Sequence, residues 1–517
     1  MTMLIASFLA DSLDAVRRLS AQAWDQGVDA VEIRIDHYQG ELAFLADFLR
    51  SQSNRRWIVT KHRVPVEQGG VTEKEILQVS QAFAEVPNAW IDLGMEIPDQ
   101  ESSQPSQRGF SFELGPIPAI RMILSFHDFV GVPRYISKSA DIILASGKGP
   151  VFKVAYTPMD IRDSFHALDL MHRHKERVIA ICMGEEGTWT RVLAKKLKAF
   201  GTFCSLSTDQ ATAPGQLTLL DMMDRFRWKQ MDADTKVFGL VGNPVAHSLS
   251  PKLFNHWFTE HGVNAVYLPL RVADGPDCLS GFLKGCLVRP WLDVGGFSVT
   301  LPHKTAVASW LGAGVDRTSE CIGAINTLVV RDGRISGYNT DCQAATSSLV
   351  EALGCSRNEL RGMAIDVLGA GGSARAVLSG LRDYGCRVTV FARNERRLAE
   401  VGRSFSCDVR PWSERVTRTG TVLINCTPIG MWPKVDDSPV AAESLSGCQL
   451  VFDLIYNPLE TKLLRDAAER DVKTLGGLDM FVRQASTQFE LWTGCAPDLE
   501  LAKRLLESEL RDRTAKP

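Results

Sequence analysis

The sequence predicts an α/β protein of two domains, a (β/α)8 barrel followed by an open α/β domain. At 517 residues the chain is longer than one hydrophobic core usually supports. Its first half alternates eight short apolar runs with helical stretches, and eight is the strand number of that barrel. Its second half starts a new alternation at Val237 and carries a glycine-rich turn between an apolar run and a helix.

The predicted strands of the barrel share a short length, an apolar character and a following helix or loop. They span residues 3–8, 30–34, 57–60, 90–93, 122–126, 151–154, 178–183 and 202–205. The stretch 98–109 is rich in Ser, Gln and Pro and is predicted to be a loop. The polar run 224–236 is predicted to link the two domains.

Composition and charge restrict the class of protein. A hydrophobic content of 45% and a charged content of 23% are typical of globular proteins, and a net charge of −3 does not favour nucleic acid. No apolar run is long enough for a transmembrane helix, and residues 1–10 fit a first strand better than a signal peptide. The twelve cysteines form no C-x-x-C pair. We therefore expect a cytoplasmic protein with small-molecule substrates, no bound metal, and no membrane or nucleic-acid partner.

Polar residues lie where the predicted barrel strands end, which is where such barrels place catalytic groups. Glu32 and Arg34 alternate on one strand, His127 closes another, and Lys153 lies within an apolar strand. Burial should lower the pKa of Lys153, and a neutral amine can form a Schiff base with a ketone. A nearby histidine can then move the α-proton. The alternatives are an edge lysine that extends to solvent and a hydrogen-bonded core histidine.

Residues 1–226 resemble type I 3-dehydroquinate dehydratases. The similar runs are Glu-Ile-Arg-Ile-Asp at 32–36, Ser-Phe-His-Asp-Phe at 125–129, Met-Gly-Glu-Glu-Gly-Thr-Trp-Thr-Arg at 183–191 and Ala-Pro-Gly-Gln at 213–216. The resemblance implies that Lys153 forms the Schiff base with the substrate ketone, and that His127 moves the proton and helps imine formation and hydrolysis. It also implies that the residues holding the substrate's carboxylate and hydroxyls are Glu32, Arg34, Arg63, Arg191, Thr212 and Gln216.

Two segments depart from that family's pattern. The loop around Arg63 is longer than usual, and Gly94 stands where the family has a glutamate that orients the histidine. We predict that Glu96, two residues further along and of the same strand parity, takes over this role. The alternative is that the strand ends at Gly94 and that Glu96 is a solvated loop residue.

The second half contains several polar motifs that are individually weak. Ser248 and Ser250 could share one side of a loop or cap a helix, and Lys304 and Asp341 taken singly could be solvated surface charges. The turn 368–374 is glycine-rich and precedes a helix whose N-terminus could meet a pyrophosphate. Arg393 follows the next strand where an NAD site would have an acidic residue, so NADP is favoured. Glu395 is the competing candidate for the ribose.

Taken together, seven ordered motifs resemble shikimate dehydrogenases over residues 236–517. They are Asn-Pro with His-Ser-Leu-Ser-Pro, Val-Thr-Leu-Pro-His-Lys, Gly-Ala-Ile-Asn-Thr, Asn-Thr-Asp, Gly-Ala-Gly-Gly, Asn-Cys-Thr-Pro-Ile-Gly-Met and Gly-Gly-Leu-Asp-Met-Phe-Val-Arg-Gln. The resemblance implies a substrate subdomain at about 236–343 with C-terminal helices at about 480–511, and a Rossmann NADP-binding subdomain at about 344–479.

The same resemblance implies roles for individual residues. Lys304 and Asp341 would be the catalytic pair, in which the lysine supplies a proton to the ketone oxygen and the carboxylate positions it. The implied substrate-binding residues are Ser248, Ser250, Thr300, Asn326, Tyr456 and Gln484. The implied NADP(H)-binding residues are Gly369, Ala370, Gly371, Gly372, Ser373, Arg393, Asn394, Arg397, Thr427, Leu454 and Gly477.

The two resemblances share a metabolite, because a dehydratase of the first kind makes the 3-dehydroshikimate that a dehydrogenase of the second kind reduces. A bifunctional enzyme of the shikimate pathway is therefore expected. The alternatives are a dehydrogenase that prefers quinate, and a non-catalytic regulator that senses the pathway. The presence of Lys153, His127, Lys304 and Asp341 argues against the regulator.

Overall fold

A computed structural model describes residues 1–61, 73–95, 121–145, 149–275 and 277–515. The chain divides into two compact units, Met1–Lys236 with Asn264–Ala273, and Val237–Val263 with Asp274–Pro517. Within the described ranges, no helix combines the length and the apolar character needed to cross a membrane. The predicted loop 98–109 lies outside the described residues.

The first unit contains an eight-stranded parallel barrel. Its strands are β1 (Met3–Leu9), β2 (Ala30–Arg34), β3 (Trp57–Lys61), β4 (Ala89–Met95), β5 (Met122–Asp128), β6 (Val151–Tyr156), β7 (Val178–Cys182) and β8 (Gly201–Cys204). The strand order is β7-β6-β5-β4-β3-β2-β1-β8, and the Phe200 N–H donates to the Val178 oxygen at 2.9 Å where β8 meets β7. The predicted barrel is confirmed, and each strand end falls within two residues of its prediction.

Helices follow most of these strands. They are α1 (Leu13–Asp25), α2 (Leu42–Ser51), α3 (Glu73–Phe83), α4 (Ile136–Leu144), α5 (Ser164–His174) and α6 (Thr188–Val192). α1 shows why they form: Ser12 caps its first turn by accepting a hydrogen bond from the Ala15 N–H. Val16, Leu19 and Ala23 then repeat at helical spacing and form its buried face.

Side chains inside the barrel form two layers, because residues i and i+2 of a strand point to the same side. The lower layer is apolar and includes Ile5, Ala30, Ile58, Ile123, Val151, Ile179 and Phe203. Two residues further along most strands, the inward side chain is polar. These upper positions are Ser7, Glu32, Thr60, Asp92, Ser125, Lys153 and Ser205. The polar layer therefore lies toward the C-terminal ends of the strands.

The run 224–236 is packed and is not the linker that its polarity predicted. It includes the end of a short π-helical turn, Asp221–Arg225, and it buries Phe226, Trp228 and Met231. The backbone oxygen of Trp228 accepts a hydrogen bond from Lys195 Nζ at 2.8 Å. Apolar residues at irregular spacing thus hold this segment within the first unit, whose first stretch ends at Lys236.

A mixed sheet of five strands follows in the chain. Its strands are β9 (Lys236–Gly242), β10 (Ala265–Arg271), β11 (Val294–Val299), β12 (Thr327–Arg331) and β13 (Arg334–Tyr338), in the order β10-β9-β11-β12-β13. β11 is parallel to β9 and antiparallel to β12. The helices in this part are α7 (Ser250–Glu260), α8 (Cys278–Leu287), α9 (Lys304–Leu311) and α10 (Arg317–Ile322).

The last sheet is a parallel, doubly wound sheet of six strands. They are β14 (Ala364–Leu368), β15 (Arg387–Ala392), β16 (Asp408–Pro411), β17 (Val422–Asn425), β18 (Leu450–Asp453) and β19 (Lys473–Leu475). Their order, β16-β15-β14-β17-β18-β19, is the 3-2-1-4-5-6 order of a Rossmann fold. The switch point, where such folds bind ligands, lies between β14 and β17.

Helices complete this second unit. They are α11 (Asp341–Leu353), α12 (Gly372–Asp383), α13 (Glu395–Phe405), α14 (Lys462–Ala468), α15 (Gly477–Thr493) and α16 (Leu499–Ala515). α12 begins directly after the glycine-rich turn that follows β14. The helix N-terminus thus lies at the edge of the sheet where the sequence predicted a dinucleotide.

Gly187→Ala should destabilise the barrel. A Cβ atom at Gly187 would lie 2.0 Å from the backbone oxygen of Cys182, so the backbone would have to shift. We expect a loss of about 1–3 kcal/mol in the free energy of unfolding, the usual cost of overpacking. Urea denaturation followed by tryptophan fluorescence measures this loss. Gly131→Ala is the matched control, because its added Cβ meets no atom within 4 Å. Equal midpoints for the two variants would contradict the prediction.

Candidate active sites

Lys153 is buried in the polar layer of the barrel. Its side chain is 6% exposed, and its Nζ lies 4.4 Å from the centroid of the Phe203 ring. Nζ donates to Asp92 Oδ2 at 2.6 Å and to Glu32 Oε1 at 3.4 Å. Lys153 is therefore an interior lysine held by two carboxylates, and it does not extend to solvent.

The two acids reverse the effect of burial on this lysine. Burial by itself lowers the pKa of Lys153, but the charges and hydrogen bonds of Asp92 and Glu32 raise it, and the net pKa is above its ordinary value. The lowered pKa predicted from the sequence was wrong, because that prediction rested on burial alone. The resting lysine is instead an ammonium ion in a buried ion pair.

Of the two carboxylates beside Lys153, Glu32 is the one that accepts hydrogen bonds from neighbouring hydroxyl groups. Thr60 Oγ1 donates to its Oε1 at 2.8 Å, and Ser7 Oγ donates to its Oε2. Burial raises the pKa of Glu32, but Lys153 and the two hydroxyls outweigh burial and Asp92, so that its pKa is lowered. Glu32 is thus an anion fixed on both oxygens.

A hydrogen-bond network connects this centre to other predicted site residues. Ser7 Oγ lies 3.1 Å from Thr212 Oγ1, and the Thr212 N–H donates to Gln216 Oε1 at 2.7 Å. Arg34 donates from Nη1 to the Thr212 backbone oxygen at 3.4 Å and from Nε to Asp36 Oδ2 at 3.0 Å. The structure therefore brings Glu32, Arg34, Thr212 and Gln216 to one side of Lys153.

Arg191 on α6 is a buried cation. Its side chain is among the largest fully buried in the chain, and burial lowers its pKa to about 10. Within the described part of the chain no carboxylate forms an ion pair with it, and its Nε has no hydrogen-bond partner. One Nη donates to the Pro214 oxygen at 3.4 Å. A buried guanidinium of this kind is suited to an anionic ligand, since a carboxylate would supply the missing charge.

His127 lies one step above Lys153 on the inner face of the barrel. Ser125 is the register partner of Lys153, and His127 follows it by two residues on β5, so it points to the same side. The half-buried imidazole stacks on Phe129, with ring centroids 6.5 Å apart. Arg63 and Glu96 lie outside the described residues.

Sequence reasoning missed three polar residues of this layer. Asp92, Ser7 and Thr60 contact Lys153 or Glu32 directly. Strand parity could have found them, because each lies two residues beyond an inward-facing residue of its strand. Their sequence context is otherwise that of ordinary strand residues.

A second lysine–aspartate pair lies in the second unit. Lys304 begins α9 and Asp341 begins α11, and Lys304 Nζ donates to Asp341 Oδ2 at 2.6 Å. Nζ is also 3.4 Å from Ser373 Oγ in the first turn of α12. The two charges are mostly buried, with 12% and 6% of their side chains exposed. They are therefore a specific pair and not solvated surface charges.

Asn326 holds the other oxygen of Asp341. Its Nδ2 donates to Asp341 Oδ1 at 2.9 Å and to Thr340 Oγ1 at 2.9 Å, and it lies 3.3 Å from Gln484 Oε1. The hydroxyl of Thr340 donates to the Gln484 backbone oxygen at 3.0 Å. Predicted substrate-binding residues Asn326 and Gln484 thus meet the predicted catalytic pair.

The remaining predicted substrate residues are less directly connected. Ser248 Oγ accepts from the Ser250 N–H at 3.1 Å and lies 3.2 Å from Ser250 Oγ, at the start of α7. The residue that precedes α7 is Leu249, and among the described residues no side chain caps this helix, so the pairing of the two serines is not the capping alternative. The Tyr456 ring packs on Phe481, with centroids 4.4 Å apart, on the helix that carries Gln484. Thr300 directly follows β11 and is half-buried.

Two glycines of the glycine-rich turn lie in close contact with neighbouring segments. Gly369 has a φ of +111°, and a Cβ there would lie 3.2 Å from the Cys426 oxygen after β17. A Cβ at Gly372 would lie 3.0 Å from Lys304 Cβ. The turn therefore joins the switch point of the sheet to the lysine, and it leaves room for a pyrophosphate at the helix N-terminus.

Other predicted cofactor residues surround the same sheet edge. Thr427 Oγ1 donates to Asn425 Oδ1 at 2.7 Å after β17, and a Cβ at Gly477 would lie 2.1 Å from the Leu454 oxygen. Arg393 and Arg397 follow β15 and are exposed, and Asn394 caps α13 by accepting from the Arg397 N–H at 3.0 Å. The Asn394 oxygen thus stabilises the helix, while the two arginines are open to an anion.

Models of three protein families match separate parts of the chain. The type I 3-dehydroquinase model matches residues 5–233. The model of the shikimate dehydrogenase substrate binding domain matches residues 240–328, and the model of the shikimate 5'-dehydrogenase C-terminal domain matches residues 477–507.

Similar proteins cover either one part of the chain or nearly all of it. The NADP(+) shikimate dehydrogenase of Caldanaerobacter subterraneus is 39% identical over 290 residues, which are 54% of this chain and 100% of that protein. The shikimate 5-dehydrogenase of Thermus thermophilus, solved in complex with NADP(H) and shikimate, is 33% identical over 52% of this chain and 99% of its own, with a TM-score of 0.46.

The chloroplastic bifunctional 3-dehydroquinate dehydratase/shikimate dehydrogenase of Arabidopsis thaliana is matched across both units. It is 31% identical over 522 residues, which cover 97% of this chain and 83% of that protein. A match of this length includes the barrel, the mixed sheet and the doubly wound sheet in one order. The chain therefore belongs to the family of bifunctional 3-dehydroquinate dehydratase/shikimate dehydrogenases.

Proposed function

We propose that this chain catalyses two consecutive steps of the shikimate pathway. Residues 1–226 dehydrate 3-dehydroquinate to 3-dehydroshikimate, and residues 236–517 reduce that product to shikimate with NADPH. One observation carries the proposal: the same chain holds a buried barrel lysine and a lysine–aspartate pair against a dinucleotide turn. The product of the first chemistry is the substrate of the second.

In the first site, Lys153 attacks the ketone carbon and forms an imine. The imine acidifies the neighbouring C–H, and His127 takes that proton before the hydroxyl leaves. Arg191 is the natural partner of the substrate carboxylate, because it is buried without a counter-ion among the described residues. The hydroxyl-binding side is formed by Glu32, Arg34, Thr212 and Gln216. By family resemblance Arg63 completes the set.

In the second site, Lys304 gives a proton to the carbonyl oxygen while the carbon is reduced. Asp341 fixes the ammonium at 2.6 Å, and Asn326 fixes Asp341, so the proton donor is held by a chain of hydrogen bonds. The nicotinamide of NADPH supplies the hydride when it is bound. The substrate hydroxyls and carboxylate are held by Ser248, Ser250, Thr300, Asn326, Tyr456 and Gln484.

The residues of the doubly wound sheet fit NADP(H). Gly369, Ala370, Gly371, Gly372 and Ser373 form the turn for the pyrophosphate, which leads from β14 into the N-terminus of α12. We infer that Arg393 and Arg397 hold the 2′-phosphate, and the Asn394 side chain supports this by capping α13 between them. Thr427, Leu454 and Gly477 border the nicotinamide side. All of these residues belong to the proposed Rossmann subdomain, about residues 344–479. In the sequence, this subdomain separates the two parts of the substrate subdomain.

The proposed location is the cytoplasm. All twelve cysteines are free thiols in the structure, which fits a reducing compartment. The proposed ligands are small molecules only, since neither charge nor motif indicates nucleic acid.

Lys153→Ala tests the first site. In a coupled assay with 3-dehydroquinate and NADPH, the variant should oxidise no NADPH, because it lacks the amine that forms the imine. With 3-dehydroshikimate it should keep the wild-type rate, which makes the second site an internal control. Borohydride with 3-dehydroquinate should trap an adduct on the wild type alone. A wild-type chain that neither forms the adduct nor oxidises NADPH from 3-dehydroquinate would exclude the dehydratase and favour the regulator.

Lys304→Ala and Asp341→Ala test the second site. At saturating substrate, each should slow the turnover of 3-dehydroshikimate by roughly 10²- to 10⁴-fold, the range for a lost proton donor or its partner. The KM for NADPH should change little, because neither side chain belongs to the proposed phosphate sites. Near-wild-type turnover in both variants would show that the pair is not catalytic. Quinate and shikimate oxidation, compared on the wild type, separate the quinate-preferring alternative.

Arg393→Ala tests the cofactor assignment. In the variant, the preference for NADPH over NADH should fall by roughly 5- to 150-fold, which corresponds to the loss of a charge-assisted hydrogen bond of about 1–3 kcal/mol. The ratio of kcat/KM for the two cofactors measures it. Arg396→Ala is the matched control, since this exposed arginine in the first turn of α13 pairs with Glu400 at 3.3 Å. Equal preferences in the two variants would assign the phosphate contact to Arg397 or elsewhere.

A further inference from the structure

The two carboxylates beside Lys153 differ in what else they bind. Both oxygens of Glu32 accept hydroxyl donors from Ser7 and Thr60. Asp92 has a side chain with 0% exposure, and its Oδ2 makes the shorter contact with Lys153, 2.6 Å against 3.4 Å. Its Oδ1 is buried without a hydrogen-bond partner among the described residues. Asp92 is therefore the less stabilised anion and the nearer base.

The proposed chemistry requires such a base. Only a neutral amine can attack a ketone, and the resting Lys153 is an ammonium ion between two acids. The proton must leave Nζ before the carbon–nitrogen bond forms. Glu32 is further away and is already held as an anion by its hydroxyl donors, which makes it the weaker proton acceptor.

A second buried atom points to a ligand at the same place. Ser125 is the register partner of both Lys153 and Gly94, and its Oγ is buried without a hydrogen-bond partner in the described structure. Buried polar atoms are almost always paired, so an oxygen of the substrate bound beside Lys153 would complete its hydrogen bonding. Gly94 is the next inward residue of β4 after Asp92, and it places no side chain above the carboxylate.

We propose that Asp92 carries the protons of imine formation, taking one from Lys153 and returning it to the departing oxygen. This inference rests on the proposed dehydratase function. Asp92 first accepts a proton from the ammonium, which leaves a neutral amine and a carboxylic acid. The amine then attacks the ketone carbon, a C–N bond forms, and the C=O electron pair moves to oxygen.

The remaining protons balance without any further reagent. The carboxylic acid gives its proton to that oxygen and forms a carbinolamine with a positively charged nitrogen. Asp92 then takes a second proton from this nitrogen and gives it to the hydroxyl, which leaves as water. The products are a protonated imine, one water molecule and the Asp92 carboxylate in its starting form. Asp92 is thus a catalytic residue that contacts a reacting atom. It carries the protons of imine formation, a step in which the family resemblance implies a role for His127, and His127 moves the α-proton.

Asp92→Asn separates this role from a structural one through pH. In the wild type, the proton moves within the Lys153–Asp92 pair, so the reactive form has the same total charge as the resting form and adduct formation is independent of pH. In the variant, the neutral amine must arise by loss of a proton to solvent. Its fraction then rises tenfold for each pH unit below the pKa of the lysine.

The measurement is single-turnover borohydride trapping with 3-dehydroquinate between about pH 7.5 and 9.5, above the ordinary pKa of histidine. Wild-type rates should be flat. Asp92→Asn should be slower by roughly 10²- to 10⁴-fold at the low end and should rise with a slope of one in log rate. The slope compares one preparation with itself, so partial loss of folded protein does not affect it.

The groups that face Lys153 are Asp92, Glu32, Ser7, Ser125 and Phe203, with Arg34 and His127 one step nearer the strand ends and Ile179 and Ile181 on β7.

Glu32→Gln is the matched comparison, since it removes the other carboxylate of the cluster. It should weaken substrate binding and keep a flat profile. As a second variant, Asp92→Ala should recover adduct formation when formate is added, and formate should not accelerate the wild type. A flat profile in Asp92→Asn, or no effect of formate on Asp92→Ala, would overturn the role of Asp92 and leave the dehydratase standing. Absence of a wild-type adduct would instead remove the dehydratase itself.

Discussion

The interior of the barrel depends on one constraint, the alternation of side chains along a strand in a closed sheet. On most strands, one inward side chain is apolar and the next inward side chain, two residues further along, is polar. The apolar layer supplies the burial that the fold needs. The polar layer above it can then place a lysine and two acids in a low-dielectric setting, because their mutual charges replace the water that they lose.

The second unit reaches a similar result by a different route. Its lysine and aspartate stand at the starts of two helices, α9 and α11, and not within strands. Here the close packing depends on glycines and not on the alternation of side chains along a strand. A Cβ at Gly372 would press against Lys304, and one at Gly369 would press against the backbone that follows β17. The glycine-rich turn therefore borders the side chain of Lys304 as well as the N-terminus of α12, where the cofactor is proposed to bind.

Sequence patterns predicted the elements that repeat and missed the contacts that depend on three dimensions. Eight apolar runs predicted eight strands, and a glycine-rich turn predicted the start of α12. The polar run 224–236 failed as a linker because Phe226, Trp228 and Met231 are spaced too irregularly to show a buried face. Asp92 lies in an apolar strand, in the segment Asp92-Leu-Gly94 that stands where the family has Asp-x-Glu, and the motif alone gave it no role. Its partnership with Lys153, 61 residues away, needed the register of β4, β5 and β6.

The two lysine–aspartate pairs have the same Nζ–Oδ2 distance, 2.6 Å, but opposite roles in the proposed reactions. Lys153 has to lose its proton to become a nucleophile, whereas Lys304 has to keep its proton until the ketone oxygen takes it. The two Nζ–Oδ2 distances are alike, but the surroundings differ. Lys153 has a second carboxylate, Glu32, at 3.4 Å, and the two aspartates differ in what their other oxygen accepts. Asp341 lies in the first turn of a helix, and its second oxygen accepts from Asn326 at 2.9 Å. Both features stabilise an anion. The second oxygen of Asp92 has no such donor among the described residues, and its side chain is fully buried, so Lys153 is its main support and a proton taken from Lys153 neutralises both groups. In the proposed reactions, the hydrogen bonds of the partner acid thus help to separate a lysine that acts as a nucleophile from one that acts as an acid.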